Sequence, residues 1–258
     1  AVVEAGGVGV GRNTEQALQW LVAAAKRGDA RAATQLALLA GLDGDIGPIS
    51  LAALALARAA DFEPARRILN GARVNALPVD FDHLAAATDL TRFEAPRRRE
   101  TVRSSPTIAT VDSLLTPELC TYVAALAEPA LRRGMIRNDA GGESVEDVRS
   151  NRVMHFGLAD SDVILELINH QLAAIAGSPV ENGEGLGVLH YAPGERYAPH
   201  VDYIPDTPAN AAHLEARGQR IRTVLVYLNE GFEGGATEFP RLDLQIKPSA
   251  GSVLIFDS

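Results

Sequence analysis

Leu189-His-Tyr-Ala-Pro-Gly-Glu-Arg-Tyr-Ala-Pro-His-Val-Asp-Tyr203 is the stretch on which the reading of this chain turns. It opens as an alternating run, breaks at Ala192-Pro-Gly-Glu195, and resumes from Arg196 to Tyr203. Two short strands about a Gly/Pro turn have this pattern. Six histidines are present, at 83, 155, 170, 190, 200 and 213, and His200 is followed two residues on by Asp202. In a strand, residues i and i+2 share a face, so this imidazole and carboxylate can reach one ion. One nitrogen and one oxygen donor suit a divalent metal with open positions, such as Fe(II). The spacing is equally that of a plain hydrogen-bonded pair at a strand end. His190 precedes Tyr191 and is expected on the opposite face, away from any ion.

Outward from this stretch, the pattern is that of further short strands. Gly187–Tyr191, Arg220–Asn229, Thr237–Phe239, Asp243–Lys247 and Ser252–Phe256 are rich in β-branched and aromatic residues. Turns at Gly231–Gly235 and Pro248–Gly251 separate the later ones. Close spacing of this kind predicts a sandwich or barrel. Two helices stand in front of it. One starts at Thr116-Pro-Glu, a cap followed by Pro at the first helical position, and is expected to reach Arg133 with a kink at Pro129. The other covers Asp162 to Ala176 and is closed by Gly177. Gly134–Glu146 and Asp206–Gly218 are candidate lids.

Three more segments complete a series: Arg222-Thr-Val-Leu-Val-Tyr-Leu-Asn229, Phe232-Glu-Gly-Gly-Ala-Thr-Glu-Phe239, and Ile246-Lys-Pro-Ser-Ala-Gly-Ser-Val-Leu-Ile-Phe256. With the first stretch they resemble, in order and spacing, the prolyl 4-hydroxylase-like family of Fe(II)/2-oxoglutarate dioxygenases. The resemblance covers about residues 106–258. It implies an α+β domain built on a double-stranded β-helix, a distorted jelly roll. It also implies hydroxylation of a C–H bond, with 2-oxoglutarate and O₂ consumed and succinate and CO₂ released. His200 and Asp202 match two of the three metal ligands. Tyr191 and Thr223 match hydroxyls that contact the far carboxylate of 2-oxoglutarate. The third ligand, a His, and a Lys or Arg anchor are expected beyond Ser258, where a strand still in progress would leave an unpaired edge. Fe(II), 2-oxoglutarate and ascorbate are the implied small molecules. A prolyl residue in a peptide or protein, or an amino acid, is the implied substrate.

The first 95 residues have another texture, rich in Ala, Leu and Arg. Helices are predicted over Thr14–Arg27, with Thr14 as cap, from Ala30 to Leu39, over Ser50–Ala60 and Glu63–Leu69, and over Asp80–Ala87. Ala17-Leu-Gln-Trp-Leu-Val-Ala-Ala-Ala-Lys-Arg-Gly28 resembles a Sel1-like repeat, a relative of the tetratricopeptide repeat. That resemblance implies a helical segment able to meet a protein partner. Trp20 is expected in the core of the helix pair. The domain reading is therefore a helical segment over 1–95, a linker over 96–105 and the oxygenase domain over 106–258.

Composition bounds the partners. The 258 residues carry 24 Lys and Arg against 33 Asp and Glu, a net charge of −9. Nucleic-acid binding rests on clustered positive charge and is disfavoured. No run of about 18 apolar residues exists, so no membrane partner is expected. The single cysteine, Cys120, excludes an intramolecular disulfide and fits a cytoplasmic setting. Two other readings stand beside the enzyme: a catalytically silent oxygenase-fold scaffold, and a repeat-mediated interaction module.

Overall fold

The computed structural model describes the chain except residues 43, 45, 76, 96, 138–142 and 145–147. It divides into two compact units that are not continuous in sequence. The first comprises Ala1–Arg97, Leu115–Ala127 and Phe156–Leu186, and the second Arg98–Leu114, Glu128–His155 and Gly187–Ser258.

The first unit is helical: α1 (Val2–Gly6), α2 (Thr14–Ala25), α3 (Ala30–Ala40), α4 (Pro48–Ala59), α5 (Glu63–Leu69), α6 (Phe81–Ala86), α7 (Thr91–Glu94), α8 (Pro117–Ala127) and α9 (Val163–Ala176). Side-chain caps set several starts. Asn13, one residue before the expected Thr14, accepts a bond from the Gln16 amide at 3.0 Å. Asp29 accepts from the Ala32 amide at 2.8 Å and opens α3. Helix α2 buries Ala17, Leu21, Val22 and Ala25. Trp20 lies beside that stripe and is 53% exposed, so it is not the core residue expected of it. Helix α8 begins as expected but ends at Ala127, not Arg133. Pro129 cannot continue the hydrogen-bond ladder, and Glu128–Ala130 forms a single 3₁₀ turn instead.

Helices α8 and α9, which the sequence groups with the strands, pack in this unit with the amino-terminal helices. A buried carboxylate accounts for much of this. Asp162 caps α9 by accepting from the Leu165 amide at 3.0 Å. Its other oxygen accepts from the Tyr122 hydroxyl of α8 at 2.6 Å and from Arg31 Nε of α3 at 3.0 Å. Beside it, the Gln35 side chain accepts from the Val163 amide at 3.0 Å. Tyr122 and Asp162 are both buried. Burial is the largest influence on both Arg31 and Tyr122. It pushes the Tyr122 phenol well up, and the Asp162 charge adds to that. On Arg31 it opposes the charge, yet Asp162 more than offsets it and the guanidinium holds its proton more tightly than usual.

The second unit holds every described strand: β1 (Glu100–Ser104), β2 (Thr107–Val111), β3 (Arg132–Arg133), β4 (Ile136–Arg137), β5 (Glu143–Ser144), β6 (Arg152–His155), β7 (Gly187–His190), β8 (Arg222–Val226), β9 (Thr237–Phe239), β10 (Leu244–Ile246) and β11 (Val253–Asp257). One helix, α10 (Ala211–Arg217), precedes β8. All pairings are antiparallel. The main sheet has the order β1-β2-β11-β8, and a second sheet has the order β3-β6-β7. Strands β9 and β10, and β4 and β5, form two-stranded ribbons.

Three expectations change here. Glu100–Ser104, read as linker, is a strand. All five of its residues are exposed, so backbone pairing with β2 holds it rather than burial, and no apolar alternation marks it. The final strand β11 is not an edge. Its Val-Leu-Ile core is buried, and it is paired on one side with β2 and on the other with β8. Arg196–Tyr203 is not a strand, for a reason that belongs to the site.

The Asp162 network yields a stability prediction. Tyr122→Phe removes one hydrogen bond to a buried charge and should destabilise the protein by about 1.5–3 kcal/mol. Asp162→Ala removes the cap and strands Arg31, and should cost about 3–5 kcal/mol. Denaturant titration of both variants checks this, and equal small losses would show that the network carries no special weight.

Candidate metal centre

The segment after β7 is built by short-range constraints. A turn at Ala192–Glu195 closes on itself, with the Ala192 amide donating to the Glu195 carboxylate at 2.7 Å. Gly194 sits there at φ 84°, a backbone state glycine takes without strain. Residues 196–198 then run beside 148–150. The Ser150 amide donates to the Arg196 carbonyl at 3.0 Å, and the Ala198 amide to the Val148 carbonyl at 2.8 Å. Pro199 has no N–H and ends this pairing, so His200–Tyr203 leaves the sheet as irregular chain.

His200 and Asp202 meet nevertheless. His200 Nε2 lies 3.1 Å from Asp202 Oδ1. The other ring nitrogen, Nδ1, lies 2.8 Å from the Ala198 carbonyl. A carbonyl only accepts, so Nδ1 carries a proton and Nε2 is the atom turned to Asp202. The Tyr197 ring stacks on the imidazole with centroids 3.6 Å apart and planes 14° from parallel. Arg149 lies over the Tyr197 ring, with Cζ 4.8 Å from its centroid. Its own place is fixed by bonds to Asn151 Oδ1 at 2.9 Å and to the Met135 carbonyl at 2.8 Å.

Thr223 reaches the same carboxylate from β8. Its hydroxyl donates to Asp202 Oδ2 at 2.5 Å. The two expected ligands and one of the two expected hydroxyls are therefore together. Tyr191 is 42% exposed. Partial burial pushes its phenol up, against the effect of the Arg149 charge. Burial opposes the charge on His200, but the Asp202 bond and the Ala198 carbonyl outweigh it and the imidazole holds its proton more tightly. The His200 bond holds Asp202 below the usual carboxylate range, against the effect of burial and with help from Thr223.

The donor pair fits a divalent ion. Donors on neighbouring corners of an octahedron with bonds of about 2.1 Å lie about 3.0 Å apart, close to the separation of Nε2 and Oδ1. A ring nitrogen tied to a backbone carbonyl is also the usual outer support of a metal-bound imidazole. Among the described residues, no group of three or more His, Cys, Asp or Glu side chains converges on one point.

Several members of the cluster lay outside the residues singled out from sequence. Tyr227 bonds Thr237 Oγ1 at 2.7 Å, joining β8's continuation to β9. Tyr197, Tyr227 and Thr237 all stand inside the quoted segments, so their positions carried a signal. Arg149 carried none, because it stands in none of the quoted segments. Of the candidate lids, most of Gly134–Glu146 lies outside the described residues. Asp206–Gly218 contains α10 and is pinned at its base. Gln219 accepts from the Ile204 amide at 2.7 Å and donates to the Ile204 carbonyl at 2.8 Å.

The chain is similar to several known proteins. Residues 186–258 match the family described as the 2OG-Fe(II) oxygenase superfamily. The chain is 34% identical over 172 residues to prolyl 4-hydroxylase 1 of Arabidopsis thaliana, covering 61% of this chain and 59% of that one. It is 36% identical over 146 residues to probable prolyl 4-hydroxylase 7 of the same plant, covering 56% and 45%. Against probable prolyl 4-hydroxylase 3 it is 29% identical over 204 residues, covering 69% of each. A solved structure of a viral collagen prolyl hydroxylase from Paramecium Bursaria Chlorella virus-1 aligns with a TM-score of 0.42 at 23% identity, over 58% of this chain and 77% of that one. Similarity to these prolyl 4-hydroxylases thus extends over 56–69% of the chain, which spans less than two thirds of the length of the first two relatives.

The Gln219 clamp is testable. Gln219→Leu should speed amide hydrogen exchange across residues 205–218 while β8 and β11 keep their protection. Unchanged exchange there would mean that something other than this side chain holds the segment.

Proposed function

We propose that this chain carries the oxygenase part of an Fe(II)- and 2-oxoglutarate-dependent prolyl 4-hydroxylase-like dioxygenase. The observation that carries the reading is the pairing of His200 Nε2 with Asp202 Oδ1 at 3.1 Å, with His200 Nδ1 tied to a backbone carbonyl. The similarity of residues 186–258 to the 2OG-Fe(II) oxygenase superfamily names the ion and co-substrate this pair suits. The reaction is insertion of one oxygen atom of O₂ into a substrate C–H bond, while the second oxidises 2-oxoglutarate to succinate and CO₂.

In this reading His200 and Asp202 hold the iron, which supplies the redox chemistry when bound. Tyr191 binds a carboxylate of 2-oxoglutarate through its phenol, a hydrogen-bond donor at neutral pH. Val201 and Tyr203 flank the ligand pair and are exposed, which offers apolar contact to an uncharged ring such as a prolyl side chain. A peptide or protein substrate follows from likeness to the prolyl 4-hydroxylases. The antiparallel sheets β1-β2-β11-β8 and β3-β6-β7 are read as parts of a double-stranded β-helix. The helix pairs α2/α3 and α4/α5 are read as Sel1-like repeats, supported by their short turns and small-residue contacts. A reducing, cytoplasmic setting is our reading of a chain whose single cysteine, Cys120, is buried.

The test is turnover of 2-oxoglutarate to succinate with Fe(II) and a proline-containing peptide. The protein should form succinate and hydroxylated peptide together. His200→Ala and Asp202→Ala should each abolish both products while leaving the far-ultraviolet circular dichroism unchanged. Full succinate formation by Asp202→Ala would exclude this site as the centre of the reaction.

A further inference from the structure

The resemblance gives Thr223 the task of contacting 2-oxoglutarate, but the bond it makes points elsewhere. A hydroxyl has one proton to donate. Thr223 donates it to Asp202 Oδ2 at 2.5 Å, within the short range of a charge-assisted bond. What Thr223 Oγ1 has left are lone pairs, and Ser258 Oγ stands on that side at 3.4 Å. Lone pairs repel a second carboxylate. Thr223 cannot serve Asp202 and a 2-oxoglutarate carboxylate as donor at once.

The backbone around the two residues explains why Asp202 needs such a tie. Asp202 lies in irregular chain beyond Pro199, where no strand pairing fixes it. Thr223 lies on β8, opposite Phe256 of the doubly paired β11. One residue away, Asp257 accepts from Arg222 Nη2 at 2.9 Å and from the Thr107 amide at 2.9 Å, fastening β8 and β2 to the end of β11. A β-branched side chain on a fixed strand has little χ1 freedom. The hydroxyl therefore stands at a set point, and the carboxylate swings to meet it. The bond uses Oδ2, which leaves Oδ1 as the oxygen beside His200 Nε2.

We infer that Thr223 is a positioning residue for the metal-binding carboxylate: it holds Asp202 by Oδ2 so that Oδ1 alone is presented beside His200. The inference rests on the oxygenase reading of the site. It assigns Thr223 to the support of the ion rather than to the co-substrate.

Co(II) serves as the probe, because it binds sites of this donor type without turnover and reports coordination through its visible spectrum. Thr223→Val should weaken Co(II) binding about tenfold or more, the usual effect of losing an outer-shell bond, and alter the spectrum. Thr223→Ser restores the hydroxyl and should stay within about threefold of the parent, well short of the loss expected when the bond is removed. At saturating Co(II), 2-oxoglutarate affinity should be equal in the parent and in Thr223→Val. Parent-like Co(II) affinity and spectrum in Thr223→Val would overturn the inference, as would loss of 2-oxoglutarate affinity with metal binding intact. The oxygenase reading fails separately, and this inference with it, if the parent protein binds no Co(II) or if His200→Ala binds it as well as the parent. Thermal melts of both Thr223 variants confirm that the comparison is between folded proteins.

Discussion

Strand β11 is the constraint on which the second unit depends. It is the one strand of the main sheet that is buried along its apolar core and bonded on both sides by antiparallel partners that arrive from distant parts of the chain. Pairing on both sides holds its register, because a slip would have to break both ladders at once. Strand β8 inherits its position from β11, and Thr223 inherits its position from β8. The chemistry itself sits on irregular chain, so the order runs from a rigid, apolar strand to a polar side chain to a ligand. Function borrows its precision from elements that take no part in it.

The first unit rests on a different solution. Burying a carboxylate is unfavourable unless its lone pairs are filled. Asp162 fills them with a helix amide, a phenol and a guanidinium drawn from three helices. A network satisfied in this way cannot be divided without leaving a buried charge exposed to no partner. That is the physical reason α8 and α9 fold with α1–α7 although α3 ends at Ala40 and α8 begins only at Pro117. A linear division into an amino-terminal helical segment and a later oxygenase domain describes composition well and describes contacts less well.

Legibility in the sequence followed the range of the interaction. Helix starts were readable where a cap lies within three residues of the amide it satisfies, as at Asp29 and Asp162. Strands were readable where they are apolar, as in β8 and β11, and invisible where exposed backbone pairing alone holds them, as in β1. The His200–Asp202 pair was readable because both residues stand inside one short motif. The Asp162–Arg31 pair spans 131 positions and left no local trace. Arg149 was missed for the same reason: only the fold stacks it on Tyr197 and, through that ring, on His200.

Pro199 shows how a local signal can be right about chemistry and wrong about structure. The i, i+2 rule places His200 and Asp202 together because strand side chains alternate. Here the backbone pairing stops at Ala198 and no strand forms, so the rule's premise is absent. The two side chains still converge because each has its own external tether, Ala198 and Tyr197 for the imidazole and Thr223 for the carboxylate. Release from the sheet has a use. A strand residue has its main chain committed on both sides, whereas this segment presents both side chains on chain free of ladder bonds, open to solvent and to ligands. A ligand pair on such a segment can approach an ion without disturbing the sheet, provided that its tethers hold the side chains at the right separation. The tethers then matter more than the backbone, and the residues that supply them belong to the site as fully as the ligands do.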